Sequence, residues 1–247
     1  MVTEATHDRL RALRLSAMSA AWQQQQEQPD LVALAFDDRF GLLVEAEALA
    51  RDNARLARRL HAARLKLAQA CIEGIDFPPR RHLEKTLVRQ LATGHWLAEH
   101  QNVVITGATG TGKTYLACAL AHQACRQGHR VLYRRLPRLF EELALAHADG
   151  SFTRLLARFA RLDLLVLDDW GLAPLRDADR RDLLEIFEDR YGVRSTLITS
   201  QVPTDAWHDV LGDPTLADAI CDRILHNAHR LVLQGPSRRK EAAPTSL

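Results

Sequence analysis

Gly107-Ala108-Thr109-Gly110-Thr111-Gly112-Lys113-Thr114 follows directly on the apolar run Asn102-Val103-Val104-Ile105-Thr106 and precedes a helix-favouring stretch from Tyr115 to Gln127. The octet satisfies G-x-x-x-x-G-K-[ST]. A buried strand entering such a turn points a row of backbone N–H groups at one spot, and the following helix adds the positive end of its dipole there. The expected ligand is therefore a nucleoside triphosphate cradled by residues 107–114. Lys113 is placed to reach the β- and γ-phosphates, and the Thr114 hydroxyl to hold Mg²⁺.

Working outward, Leu164-Leu165-Val166-Leu167 ends in two acids, Asp168 and Asp169. A buried strand emerging at the carboxyl edge of a sheet sets Asp168 where it can bind Mg²⁺ through water, and Asp169 where it can orient or deprotonate an attacking water. No N-K-x-D base reader marks a GTPase, and a small-molecule kinase has no need of the second acid. Hydrolysis of ATP is the expected chemistry. The next strand ends in Thr199-Ser200-Gln201, where either Ser200 or Gln201 can bridge water and γ-phosphate. Arg223 and Arg239 lie farther on, each with the planar, permanent charge that suits phosphate oxygens.

From Asn102 onward strands alternate with helical stretches. Candidate strands are 103–106, 130–133, 164–168, 196–199 and 230–233. Several are unbroken apolar runs, as expected of a parallel sheet covered by helices on both faces. The fold class is α/β, preceded by a small all-helical domain. In that domain Leu10, Leu13, Ala17 and Ala21 trace one face of a short helix. A longer helix starts near Phe36 and continues to about Ala70, with Leu42, Leu49, Leu56, Leu60 and Leu67 on one arc. Pro78-Pro79 closes the break that begins at Gly74. The expected organisation is a helical domain over 1–76, a linker over 77–101, the nucleotide-binding domain over 102–239 and a frayed tail over 240–247. Trp96, just ahead of the phosphate loop, suits either the adenine base or the core.

The chain of 247 residues is 47% hydrophobic, and 33 basic against 31 acidic residues leave a net charge of +2 with room for local segregation. Arg51, Arg55, Arg58, Arg59 and Lys66 form a basic stripe on the long helix, and Arg134, Arg135 and Arg138 a second cluster. Neither is interleaved with the aromatic residues that stack single-stranded bases. Duplex DNA, contacted through its phosphates, is the expected partner. No stretch has the length and apolarity of a membrane span, no signal-peptide pattern opens the chain, and the four cysteines form no C-x-x-C pair. A cytoplasmic location without a membrane partner is expected.

Beyond these readings, Leu164–Gly171 (LLVLDDWG), Thr199-Ser200-Gln201-Val202-Pro203 with Trp207-His208, Ala217–Arg230 (ADAICDRILHNAHR) and the G-x-S-x-R-K run at 235–240 resemble one branch of the AAA+ ATPases. That branch is the IstB-like transposition helpers of insertion sequences. The resemblance reaches back to Asp37-Asp38-Arg39 and the arginine-rich helix after it. DnaC-type helicase loaders share the ATPase core but differ in the N-terminal part and lack the D-D-W and H-N-A-H-R runs. The resemblance implies an AAA+ P-loop core in which residues 107–114 are the Walker A loop and Asp168 with Asp169 the Walker B pair. Ser200 or Gln201 would be sensor 1, Arg239 the sensor 2 arginine, and Arg223 an arginine finger acting on ATP held by a neighbour. It further implies an ATP-dependent homo-oligomer on duplex DNA, with little sequence preference, serving a cognate transposase. The alternatives are a helicase loader, a scaffold using ATP only for assembly, and a small-molecule kinase. Two departures stand out. Asp169 stands where many AAA+ proteins have Glu, which implies slow hydrolysis. The chain also runs out soon after its fifth strand, which leaves Arg239 on a short tail without a helical lid.

Overall fold

The computed structural model describes residues 2–238. The chain divides into two compact units, one reaching to Arg58 and the other beginning at Arg59. Residues 59–101, which the sequence reading shares between a helical domain and a linker, lie in the second unit.

The first unit contains α1 (Val2–Ala12), α2 (Ser16–Glu27), α3 (Pro29–Val32) and most of α4 (Phe36–Ala63). The single helix expected through Leu10 and Ala21 is thus two. Arg14 takes a left-handed φ of 59°, and Leu15 N–H closes back on Leu10 O at 2.8 Å, which ends α1. The freed N-terminus of α2 is capped from α4: the Glu47 carboxylate accepts from Ala17 N–H and Met18 N–H, both at 3.0 Å. Arg51 Nε adds a third donor at 2.8 Å. These bonds stabilise the ionised form and hold the Glu47 carboxyl below its ordinary pKa. Helix α4 ends at Ala63, not near Ala70, because Arg64 turns left-handed at φ 52°. Leu67 kept the apolar period going past a real helix end.

In the second unit, 3₁₀ turns at Ile72–Gly74 and Pro79–Arg81 lead to α5 (Lys85–Ala92) and α6 (His95–Ala98). The ATPase-like core follows: β1 (Asn102–Gly107), α7 (Lys113–Arg126), β2 (Val131–Arg135), α8 (Leu136–Asp149), α9 (Phe152–Ala160) and β3 (Leu164–Trp170). It continues with α10 (Asp177–Glu188), β4 (Ser195–Ser200), α11 (Trp207–Leu211), α12 (Pro214–Leu225) and β5 (Ala228–Leu233). All five expected strands are present. They form one parallel sheet in the order β2-β3-β4-β1-β5. Parallel strands need crossovers, and those crossovers bury the sheet. Val104, Leu165, Leu167 and Ile198 pack with Leu139, Phe159, Leu183, Trp207 and Ile220 from α8 to α12. The alternate residues of the strands face the other way, and α7 packs against β1, β3 and β4. Trp96 is a core residue: its ring is buried and Nε1–H donates to Leu91 O at 2.9 Å.

Candidate nucleotide site

Strand β1 delivers Gly107 to the carboxyl edge of the sheet, and α7 opens six residues later with Gly112 as its N-cap. Two glycines there are dictated by space as well as by conformation. Gly110 (φ 84°) abuts the Ser237 side chain, and at Gly112 (φ 97°) an added Cβ would stand 2.7 Å from Arg81 Nη2. Arg81 is buried and donates to Thr111 O at 3.1 Å and Asp76 O at 2.9 Å, while Arg238 N–H donates to Gly110 O at 2.9 Å. Burial and the neighbouring Arg238 charge hold the Arg81 pKa below its ordinary value. The loop is therefore braced from both flanks by arginines that the sequence reading did not single out. Lys113 Nζ donates to Gly107 O at 2.6 Å and Ala108 O at 2.8 Å, so its ammonium lies along the loop it serves.

The two acids of β3 have different surroundings. Asp168 is 0% exposed. Its carboxylate accepts from Thr114 Oγ1 at 3.0 and 3.1 Å, from Tyr133 Oη at 2.5 Å and from Thr199 Oγ1. Burial and the bond to Asp168 push the Tyr133 hydroxyl far above its ordinary pKa, so it stays a donor. At Asp169 the chain takes φ 66°, and the β3–β4 register shifts between Leu167 and Trp170. Such a bulge re-aims a side chain. Asp169 meets Arg135 Nε at 2.7 Å on the more open side.

Of the two residues open for the water-bridging role, the structure brings Gln201 to the phosphate loop: Thr109 Oγ1 donates to Gln201 Oε1 at 2.7 Å. Ser200 is buried, donates to Trp170 O at 2.9 Å and accepts from Val202 N–H at 3.0 Å, which makes it a strand cap. Arg223 lies on the last turn of α12 and pairs with Glu188. Its carbonyl accepts from Asn102 Nδ2 at 3.2 Å, at the start of β1, so this part of α12 lies by the sheet edge opposite the phosphate loop. Arg239 falls outside the described residues.

The basic stripe is only partly as expected. Arg51 is engaged with Glu47, and Arg55 pairs with Asp52 at 2.8 Å on an exposed face; Arg58 is exposed and Arg59 half-buried. Lys66 is off the helix altogether, because α4 ends before it, and its ammonium stands 3.7 Å from Asp168 Oδ2. The second cluster does not form a free patch either. Arg134 is buried against Glu142 at 2.7 Å, Arg135 is taken by Asp169, and Arg138 pairs with Glu141 at 2.6 Å.

Beside the loop, Asp76, Pro78, Arg80, Arg81, Pro236 and Arg238 line a cavity of about 350 Å³. A triphosphate fits this donor set: loop amides at the head of α7, a lysine reaching along them, and a hydroxyl paired with a buried carboxylate for a hard divalent cation. Among the described residues no helix is long and apolar enough to cross a membrane.

Solved structures with the same fold include the DnaC helicase loader (TM-score 0.59, 22% identity, covering 67% of this chain and 97% of that one). AMPPCP-bound DnaA from Aquifex aeolicus is another (TM-score 0.57, 19% identity, 70% and 53%). At these identities the likeness establishes the fold alone. Closer relatives are proteins named as insertion-sequence ATP-binding proteins. One from Sinorhizobium fredii is 47% identical over 97% of this chain and 98% of its own length. One from Pseudomonas fluorescens, in insertion sequence IS1162, is 49% identical over 83% and 88%. The model of the IstB-like ATP binding proteins matches residues 8–246, so the phosphate loop, the two acids and the helices ahead of them fall within one match: this chain belongs to the IstB-like ATP-binding protein family.

Proposed function

We propose that the chain is a Mg²⁺-dependent ATPase that assembles on duplex DNA and assists the transposase of its insertion sequence. The observation that carries the assembly is the place of Arg223. Its carbonyl is bonded to Asn102, the first residue of β1, whereas the phosphate loop leaves the last; a strand of that length spans roughly 20 Å. An arginine so placed serves the phosphate of a neighbouring copy rather than its own. Its present partner Glu188 is largely exposed, and an exposed ion pair costs little to exchange.

Within one protomer, Lys113 and the loop amides would neutralise the β- and γ-oxygens, while Thr114 and Asp168 would hold the cation. Mg²⁺ bound there would add positive charge where the leaving group develops its negative charge. Asp169, released from Arg135, accepts a proton from the water whose oxygen attacks the γ-phosphorus. The bond to the bridging oxygen breaks, leaving ADP and phosphate. Gln201, already on the loop through Thr109, orients that water. The match over residues 8–246 includes the helical N-terminal unit, which favours the insertion-sequence role over a helicase loader, whose likeness rests on the fold alone.

Two expected outcomes test the proposal. Arg223→Ala keeps nucleotide binding within about twofold but cuts DNA-stimulated phosphate release by roughly 10³-fold, the low end for a missing arginine finger. Normal turnover by that variant would sink the shared site. The double variant Arg55→Ala, Arg58→Ala weakens duplex binding equally for all sequences. It also makes the plot of log affinity against log salt shallower by about 1.8, as two lost phosphate contacts require. An unchanged slope removes this face from the interface.

A further inference from the structure

Asp168 is a fully buried carboxylate, and three hydroxyls point at it. Hydroxyls satisfy its lone pairs without cancelling its charge, and an uncompensated buried charge is costly. Lys66 approaches from outside the phosphate loop, its ammonium 3.7 Å from Oδ2. The segment that carries it is anchored. Ala63 and Ala70 at its two ends are buried, and the Lys66–Leu67 backbone lies against the Cys118 thiol, one helical turn beyond Thr114. The ammonium is therefore presented to the acid by a short, pinned connection. Its side chain stays 37% exposed, so it has somewhere to go.

We propose that Lys66 is the resident counter-cation of Asp168 in the nucleotide-free protein and is displaced when Mg²⁺ and ATP load. This rests on Thr114 and Asp168 being the cation-holding pair. A lysine and a divalent cation compete for one carboxylate, and two cations side by side repel. Lys66 thus sets the Mg²⁺ concentration at which the site fills, and the 64–70 connection moves with its occupancy.

The test is binding of a fluorescent ATP analogue to the full chain, titrated with Mg²⁺ and repeated in EDTA, for wild type, Lys66→Ala and Lys66→Arg. For Lys66→Ala the Mg²⁺ concentration at half-saturation is expected to fall about fivefold. Binding in EDTA is expected to change by less than about twofold, and Lys66→Arg, which keeps the positive charge, to retain most of the wild-type Mg²⁺ requirement. Weaker Mg²⁺-ATP binding by Lys66→Ala would make Lys66 a phosphate ligand and overturn the proposal. An unchanged Mg²⁺ requirement would reduce the contact to a surface pairing and overturn it as well. A wild-type affinity indifferent to Mg²⁺ would instead remove the Thr114–Asp168 reading, and the proposal with it.

Discussion

Lys113→Ala is expected to lose ATP affinity by at least about 100-fold, since charge-assisted bonds to two phosphates are each worth roughly 1.5–3 kcal/mol. Nucleotide-dependent assembly goes with it. The fold should survive. Lys113 Nζ serves Gly107 O and Ala108 O, and those loop residues are half-buried and exposed, so water can replace the ammonium. The clean readout is therefore thermal stability with and without ligand. A ligand at 100 times its Kd adds about 2.7 kcal/mol to wild type, and the variant should gain at most about 0.4 kcal/mol at the same concentration. Lys113→Arg should not rescue, because the cradle is shaped for a point charge and a guanidinium is a broad, planar fork. A wild-type rise in Lys113→Ala would mean that ATP binds elsewhere.

What could be read from the chain, and what could not, divides by how local the cause is. The phosphate loop was legible because its glycines, lysine and threonine act within one turn and one helix start. The five strands were legible because parallel, two-faced burial leaves unbroken apolar runs. The company of Asp168 was not. Tyr133 lies on β2 and Thr199 on β4, and both reach Asp168 only because β3 is threaded between those strands. Strand order is set by crossovers, and no single run of residues records it. The Asp169–Arg135 pair has the same origin: Arg135 is opposite Asp168 in the β2–β3 register, one residue from the acid it binds. It also explains why Arg135, one of the basic cluster expected to meet DNA, is paired with an acid of the site instead. Lys66 was misplaced for another reason. The leucine period runs on to Leu67, whereas the backbone leaves the helix at Arg64, and a period in side chains does not feel one left-handed residue. The Thr199-Ser200-Gln201 tripeptide did carry a signal. It lies at the end of β4, but the bonds that make Ser200 a strand cap and bring Gln201 to the loop run to Trp170 and Thr109, which the tripeptide does not record.

Arg190→Leu is expected to destabilise the sheet domain strongly, and nothing in the local sequence announces it. The side chain is 2% exposed, and among the described residues its hydrogen bonds go to no carboxylate. Instead its guanidinium donates to Phe159 O at 2.6 Å, Leu162 O at 3.0 Å and Ser195 O, and to Thr196 Oγ1 at 3.2 Å. One group thus ties the end of α9, the entry to β3 and the first residues of β4. Burial brings its pKa down to about 9, with the Arg194 charge adding to the effect. The charge is kept because carbonyl oxygens solvate it in place of water. Leucine stops short of the guanidinium position and leaves three carbonyls without that donor. Leaving a buried acceptor without its donor costs about 1–3 kcal/mol, so three of them cost at least about 3 kcal/mol, which corresponds to a Tm lower by about 10 °C for a domain of this size. Arg190→Lys should recover less than half of the loss, since one ammonium cannot span three separated acceptors. Arg190 sits by the amino ends of β3 and β4, away from the phosphate loop, so the ATP-induced rise in Tm should be retained in every Arg190 variant that folds. A Tm within about 2 °C of wild type for Arg190→Leu would mean that the three segments hold together without the clamp, and would leave packing alone to fix that edge of the sheet.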